Sequence, residues 1–244
     1  MKLINRSILS VRIILCAELI GAEDVDWDKI LPAETIDEER EQKCNCHLSH
    51  WNQRVDFKLA KEDGIIGILH KATQGVKYID PIYAERRKAA EEENLMWGAY
   101  HFGIGEDGKD QAEYFLRTVG NVSQVTLVLD IEENRNGKNI TPKQAEEFVN
   151  RVHEATGRFP LIYGSPYFLK DFATPILTNC LLWVVKWDVR PMLPRGWKKW
   201  VLWQYTNGQL GPEPHSVKGI GPCDRSKFNG TLEELKDFWA SKCY

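Results

Sequence analysis

From about residue 44 the chain alternates between short apolar runs and charged stretches of helical length. Segment 64–70 (GIIGILH) is a nearly continuous apolar run, as expected of a strand buried on both faces. Segment 81–94 is charged and long enough for a helix, 96–102 (MWGAYHF) reads as a strand, 110–119 as a helix, and 125–132 (VTLVLDIE) as the clearest strand of the chain. The next helix carries its own punctuation. Thr141 is the N-cap, Pro142 sits at N1, Gln144 at N3 completes a capping box, and Gly157 is the C′ residue. Beyond it, 161–163 reads as a short strand and 166–172 as a short helix. Segments 181–187 (LLWVVKW) and 200–205 (WVLWQY) are strands joined by a loop rich in Pro, Gly and Lys. A last short strand is expected to end near Asp224, and Thr231 to cap a closing helix over 232–241.

Strands alternating with helices imply right-handed βαβ units and parallel pairing. Strands dominate after residue 175, so the simplest closed solution is an α/β architecture: a (β/α) barrel whose last part lacks some helices. An open doubly wound sheet is the alternative, but no G-x-G-x-x-G follows the first strand, which leaves a dinucleotide-binding fold unsupported. The 244 residues suit one such domain, and 43% hydrophobic with 27% charged residues excludes a disordered chain. A net charge of −3 argues against a nucleic-acid partner, which needs a basic face to displace counterions from phosphate. No apolar run approaches 18 residues, so no membrane span is expected.

Residues 1–22 have the outline of a secretory signal, with Lys2 and Arg6 before an apolar stretch that Arg12 and Glu18 interrupt. A secreted protein is the expectation; residues 23–43 then form an acidic linker or arm, and 44–244 the barrel domain. Six cysteines stand at 16, 44, 46, 180, 223 and 243. Cys44, Cys46, His47 and His50 resemble a metal cluster, but C-x-C is tighter than structural zinc spacing, and no metal is expected. A disulfide from Cys44 or Cys46 to Cys223 or Cys243 fits a secreted chain better.

In parallel α/β folds the carboxyl ends of the strands carry function. Here those ends are polar: His70-Lys71, His101, Asp130 with Glu132, Tyr163, Trp187-Asp188 and Gln204-Tyr205, with Asp224 near the last. Strand side chains alternate, so Val128, Asp130 and Glu132 share one face while Leu127, Leu129 and Ile131 share the other. Two carboxylates on one buried face repel, and one should hold a proton at neutral pH, as glycoside hydrolysis requires. Glu132 already lying solvated in the following loop is the plainer alternative, and Asp224 by position reads as a turn residue. Trp183, Trp187, Trp197, Trp200, Trp203 and Tyr205 cluster late, where both sugar stacking and core packing are open to them.

Six motifs in order resemble the glycoside hydrolase family 25 lysozymes, the Chalaropsis type, over about residues 46–235. They are LSHW at 48–51, KATQG at 71–75, GAYHF at 98–102, LDIE at 129–132, WQYT at 203–206, and Asp224 followed by FNG at 228–230. The resemblance implies an irregular barrel of five β/α units followed by three further strands. It also implies cleavage of the β-1,4 bond between N-acetylmuramic acid and N-acetylglucosamine in peptidoglycan, with retention. By the same likeness Glu132 is the proton donor. Asp130 is the partner carboxylate, either attacking the anomeric carbon or orienting the substrate's acetamido group. Asp224 stabilises positive charge in the transition state. Sugar contacts are expected from Tyr100, His101, Tyr163, Trp187, Gln204, Tyr205 and His47. A monomer acting on glycan strands, without cofactor, is the expectation. Two positions depart from the family: His47 aligns with its first-strand Asp, and Gln74 with the Glu of K-A-T-E-G. These motivate the alternative of an impaired, glycan-binding relative. An unrelated α/β hydrolase is the third possibility, though no G-x-S-x-G elbow occurs.

Overall fold

A computed structural model describes residues 44–240; the expected leader, the acidic arm, Cys16 and Cys243 lie outside the described residues. Strand β1 (Cys44–Leu48) leads through helix α1 (Phe57–Glu62) into β2 (Ile65–Gln74), which turns back on the two-residue β3 (Tyr78–Ile79). Then come α2 (Tyr83–Glu92), β4 (Met96–Phe102), α3 (Gly108–Val119), β5 (Val125–Asp130), α4 (Pro142–Thr156) and β6 (Leu161–Gly164). The short α5 (Pro166–Leu169), a 3-10 turn at Lys170–Phe172 and α6 (Pro175–Asn179) precede β7 (Leu182–Val185). The chain finishes with β8 (Leu202–Thr206), the small hairpin β9 (Ser216–Val217) and β10 (Gly221–Pro222), β11 (Asp224–Phe228), and α7 (Leu232–Ala240).

Eight of these strands close a barrel in the order β1-β2-β4-β5-β6-β7-β8-β11, with β11 returning to β1. Every pairing is parallel except the two made by β11. Five β/α units and three further strands are therefore present, and the open sheet is excluded by the β1–β2 pairing. The structure differs from the sequence reading at both ends of the barrel. β1 and α1 precede the strand taken as the first. The last strand begins at Asp224 instead of ending there. Being antiparallel, β11 presents its first residue at the rim where the parallel strands present their last.

Alternation along β5 sorts its side chains. Leu127, Leu129 and Ile131 pack outward in the layer that holds Phe115 of α3 and Phe148 of α4. Val128 points inward with Leu69, Tyr100, Leu161 and Trp183. Helix α4 starts where Thr141 and Gln144 exchange their capping-box bonds, and it ends at Gly157 in the left-handed region, φ 73°. Such a cap stabilises the helix by about 1 kcal/mol. At the far end α7 plugs the barrel floor. Leu235 and Trp239 join the interior cluster, and Trp239 Nε1 donates to the Trp97 carbonyl at 2.8 Å. Gly67 makes room for this plug, since a Cβ there would stand 2.6 Å from Asn45 Oδ1 and 2.9 Å from the Trp239 ring.

Candidate active site

Asp130 ends β5, and its carbonyl is held by Gly103 N at 2.9 Å while Ile131 N donates to Tyr163 O at 2.9 Å. The backbone thus stays fixed by both neighbouring strands as it enters the loop bearing Glu132. The Asp130 side chain is 2% exposed, and its Oδ1 has no hydrogen-bond partner among the described residues. Glu132 lies past the strand but is half-buried, not solvated. It faces a cavity of about 520 Å³ lined also by Arg135, Asn139, Ser165 and Tyr167.

Burial pushes the Asp130 carboxyl well above the usual range, and the negative charge of Glu132 pushes it further; Lys71 opposes. Burial likewise raises Glu132, with His47 opposing the rise and Asp224 adding to it. Two neighbouring carboxyls raised in this way favour keeping a proton between them. The cation facing the pair is Lys71, whose own pKa burial lowers while Asp130 pulls it back up. Lys71 Nζ donates to Gln74 Oε1 at 2.7 Å and stands 4.9 Å from the Phe102 ring centre. Gln74 is neutral, so this contact orients Lys71 without cancelling its charge.

Across the mouth, the register of β1 with β11 sets His47 opposite Asp224. His47 Nδ1 lies 3.3 Å from Asp224 Oδ2 and 3.3 Å from Gln204 Oε1, which also accepts from the Tyr163 hydroxyl at 2.9 Å. Its ring is boxed edge-on by Tyr100, Trp183 and Tyr163, with centroids 4.5, 5.0 and 5.5 Å away. Burial raises the Tyr100 and Tyr163 phenols well above their usual value, so both stay neutral donors.

The structure therefore brings Asp130, Glu132, Asp224, His47, Tyr100, Tyr163 and Gln204 around one mouth. Two expected sugar contacts stand elsewhere. His101 is fully buried on the outer face of β4, between Thr73 Oγ1 at 2.8 Å and Gln111 Oε1 at 3.1 Å, stacked on Phe148. Tyr205 is fully buried in the outer layer, with its hydroxyl donating to Pro214 O at 3.2 Å. Each follows a mouth residue by one, and a strand turns successive side chains to opposite faces. Trp187 lies beyond the end of β7 and is 43% exposed. Of the His70-Lys71 pair named at a strand end, Lys71 shares the inward parity of Leu69, and Trp183, open to either stacking or packing by sequence, lies inside with Val185. The residues Cys44, Cys46, His47 and His50 do not gather: His47 turns into the barrel, while His50 pairs with Asp80 at 2.9 Å. Among the described residues no three metal-binding side chains converge. Cys46 and Cys223, two of the cysteines expected to pair, bring their sulfurs within 3.8 Å, beyond bonding distance.

A closed barrel with paired acidic carboxyls sunk among aromatic rings at its mouth is the architecture of a glycoside hydrolase. Residues 47–213 match the model of Glycosyl hydrolases family 25, and the chain belongs to that family. It is 31% identical over 202 residues to the Escherichia coli (strain K12) protein YegX, a stretch covering 78% of this chain and 71% of that one. Lysozyme M1 of Streptomyces globisporus is 29% identical over 207 residues, covering 77% and 68%. The crystal structure of the bacterial lysozyme from Streptomyces coelicolor superposes with a TM-score of 0.72 at 28% identity, covering 81% of this chain and 97% of that one.

Proposed function

We propose that this glycoside hydrolase is a muramidase acting outside the cell on peptidoglycan strands. It cleaves the β-1,4 bond from N-acetylmuramic acid to N-acetylglucosamine with retention. The observation that carries the reading is the pair Asp130 and Glu132, both pushed upward by burial, with Glu132 lining a cavity of about 520 Å³. Glu132 faces that cavity, so it is the acid that protonates the leaving oxygen. Asp130 sits deeper and serves the anomeric carbon, either by attacking it or by orienting the acetamido oxygen that attacks. Both routes invert twice and share the same acid. Asp224, one-third exposed at the rim, offers its negative charge to the oxocarbenium-like transition state. Tyr100, Tyr163 and Gln204 are assigned to the floor on which the sugar would rest, and Trp187 to its border.

The test is clearing of bacterial cell walls. Glu132→Gln keeps the shape and removes the proton, and it should cost about 10²- to 10⁴-fold. Clearing that survives this change would refute the assignment of the acid. A second reading, an impaired glycan binder, is favoured by His47 standing where the family places an Asp. Binding of walls by the parent protein without clearing would establish it.

A further inference from the structure

The cavity of about 520 Å³ beside Glu132 leads away from the mouth; of the residues gathered there, Glu132 alone lines it. Nor does it end at the acid. Asn139, Tyr167 and Phe168 also line a second cavity of about 360 Å³, which reaches Thr141 and Lys170. Tyr167 stands where the two meet, and both volumes are in the range of about 300–1,000 Å³ usual for small-ligand sites. The local sequence fixes Tyr167 in that place. β6 ends at Gly164, where a Cβ would stand 2.6 Å from the Ile131 carbonyl oxygen and 2.9 Å from Leu169 Cγ. The missing side chain lets α5 lie against the residue that precedes Glu132. Ser165 caps α5 by accepting from Phe168 N at 3.1 Å, and Pro166 sits in its first turn. Pro166 and Leu169 are buried, which leaves Tyr167 outward and 76% exposed. Lys170 Nζ stands 4.3 Å from its ring centre, an attraction that steadies the ring. A lone exposed aromatic carries no meaning. One fixed at the junction of two cavities that begin at the acid is placed to meet what the acid releases.

We propose that Tyr167 is the stacking platform for the leaving side of the glycan strand, beginning with the N-acetylglucosamine that departs with the proton of Glu132. This deepens the muramidase reading and rests on it. The direction of proton transfer carries the argument. The acid must reach the bridging oxygen, so the departing sugar lies beyond it, away from the anomeric carbon. Asp130 and the mouth residues serve the anomeric carbon, and the two cavities are what remains for the departing sugar and the strand that follows it. A β-linked N-acetylglucosamine turns axial C–H groups to one face, and such an apolar face packs on an aromatic ring.

Two substrates separate the two sides of the cleaved bond. In solubilised peptidoglycan strands the chain of sugars continues past that bond. In the β-fluoride of one N-acetylglucosaminyl–N-acetylmuramic acid repeat, fluoride leaves with the bonding electron pair, needs no proton and brings no sugar to the leaving side. kcat/KM for both is measured on the full parent chain, Tyr167→Ala and Tyr167→Phe, with thermal unfolding to check that each is folded at the assay temperature. The strand-to-fluoride ratio should fall about 2- to 12-fold in Tyr167→Ala, which is about 0.5–1.5 kcal/mol at about 1.4 kcal/mol per tenfold. Tyr167→Phe, which keeps the ring, should hold most of the ratio. An Ala ratio equal to that of the parent, or a Phe ratio as low as that of Ala, overturns the proposal. A parent that turns over the fluoride but not strands also overturns it, while the carboxyl pair keeps its place. Should the parent cleave strands alone, the same fold-changes are read from that rate. A parent that cleaves neither removes the muramidase reading and the proposal together.

Discussion

Replacing Asp130 by Asn is expected to make the protein more stable at neutral pH while removing the carboxylate proposed to serve the anomeric carbon. Burial and the nearby Glu132 charge raise the Asp130 carboxyl in the folded state, and Lys71 only partly offsets them. The folded chain therefore binds that proton more tightly than the unfolded chain. The favourable contribution is complete below the ordinary carboxyl pKa of about 3.9 and is lost as pH rises through the folded value. Each unit of elevation corresponds to about 1.4 kcal/mol at higher pH. Asn keeps the outline and the carbonyl oxygen but carries no charge to bury. A gain of about 1–3 kcal/mol is expected from dropping the buried charge, since the amide is left as unpaired as the carboxylate was. For a chain of this size that is about 2–12 °C in Tm. Thermal unfolding of parent and variant near pH 7.5 and near pH 4 reads it directly. The gap should be open at the higher pH and narrow at the lower. A variant that melts below the parent at pH 7.5, or a gap equal at both, would refute the buried-charge account.

Other outcomes follow from the same geometry. Lys71→Met removes a cation that helps hold both carboxyls down, so the upper limb of the pH–activity profile should move to higher pH; an unmoved limb would detach Lys71 from the pair. Gly67→Ala pushes a Cβ against Asn45 and Trp239 and should cost about 1–3 kcal/mol by denaturant unfolding; an unchanged midpoint would mean the barrel floor is loosely packed. Tyr205→Phe removes one hydrogen bond in the outer layer, so about 1 kcal/mol of stability should go while wall clearing is unaffected. A drop in clearing beyond that loss would return Tyr205 to the site.

Much of the architecture is legible because apolar periodicity and local punctuation agree. The strand 96–102 and the Thr141-capped helix lie where their residues place them. The inward parity of Val128 and Asp130 likewise needs only alternation. The misplacements have a common cause. His101 and Tyr205 are polar residues at strand ends, and polarity was weighed above parity, although parity turns each away from the residue before it. The resemblance points to a first strand at His47, but periodicity does not reveal β1, because Cys44, Asn45 and Cys46 carry little strand pattern; their extended state comes from being clasped between β2 and β11. Such nonlocal pairing leaves no mark in a short window. The contact of His47 with Asp224 is equally invisible there, because it depends on the register of two strands far apart in the chain.

That register has a kinetic meaning. β1 and β11 are the outermost barrel strands in chain order, and each supplies one half of the His47–Asp224 contact. A growing polypeptide cannot assemble the mouth until nearly all of the barrel sequence has been made. Seam closure then joins segments of very large sequence separation, a slow class of event in folding. A cut on either side of the seam would divide the carbohydrate-cleaving centre between two fragments.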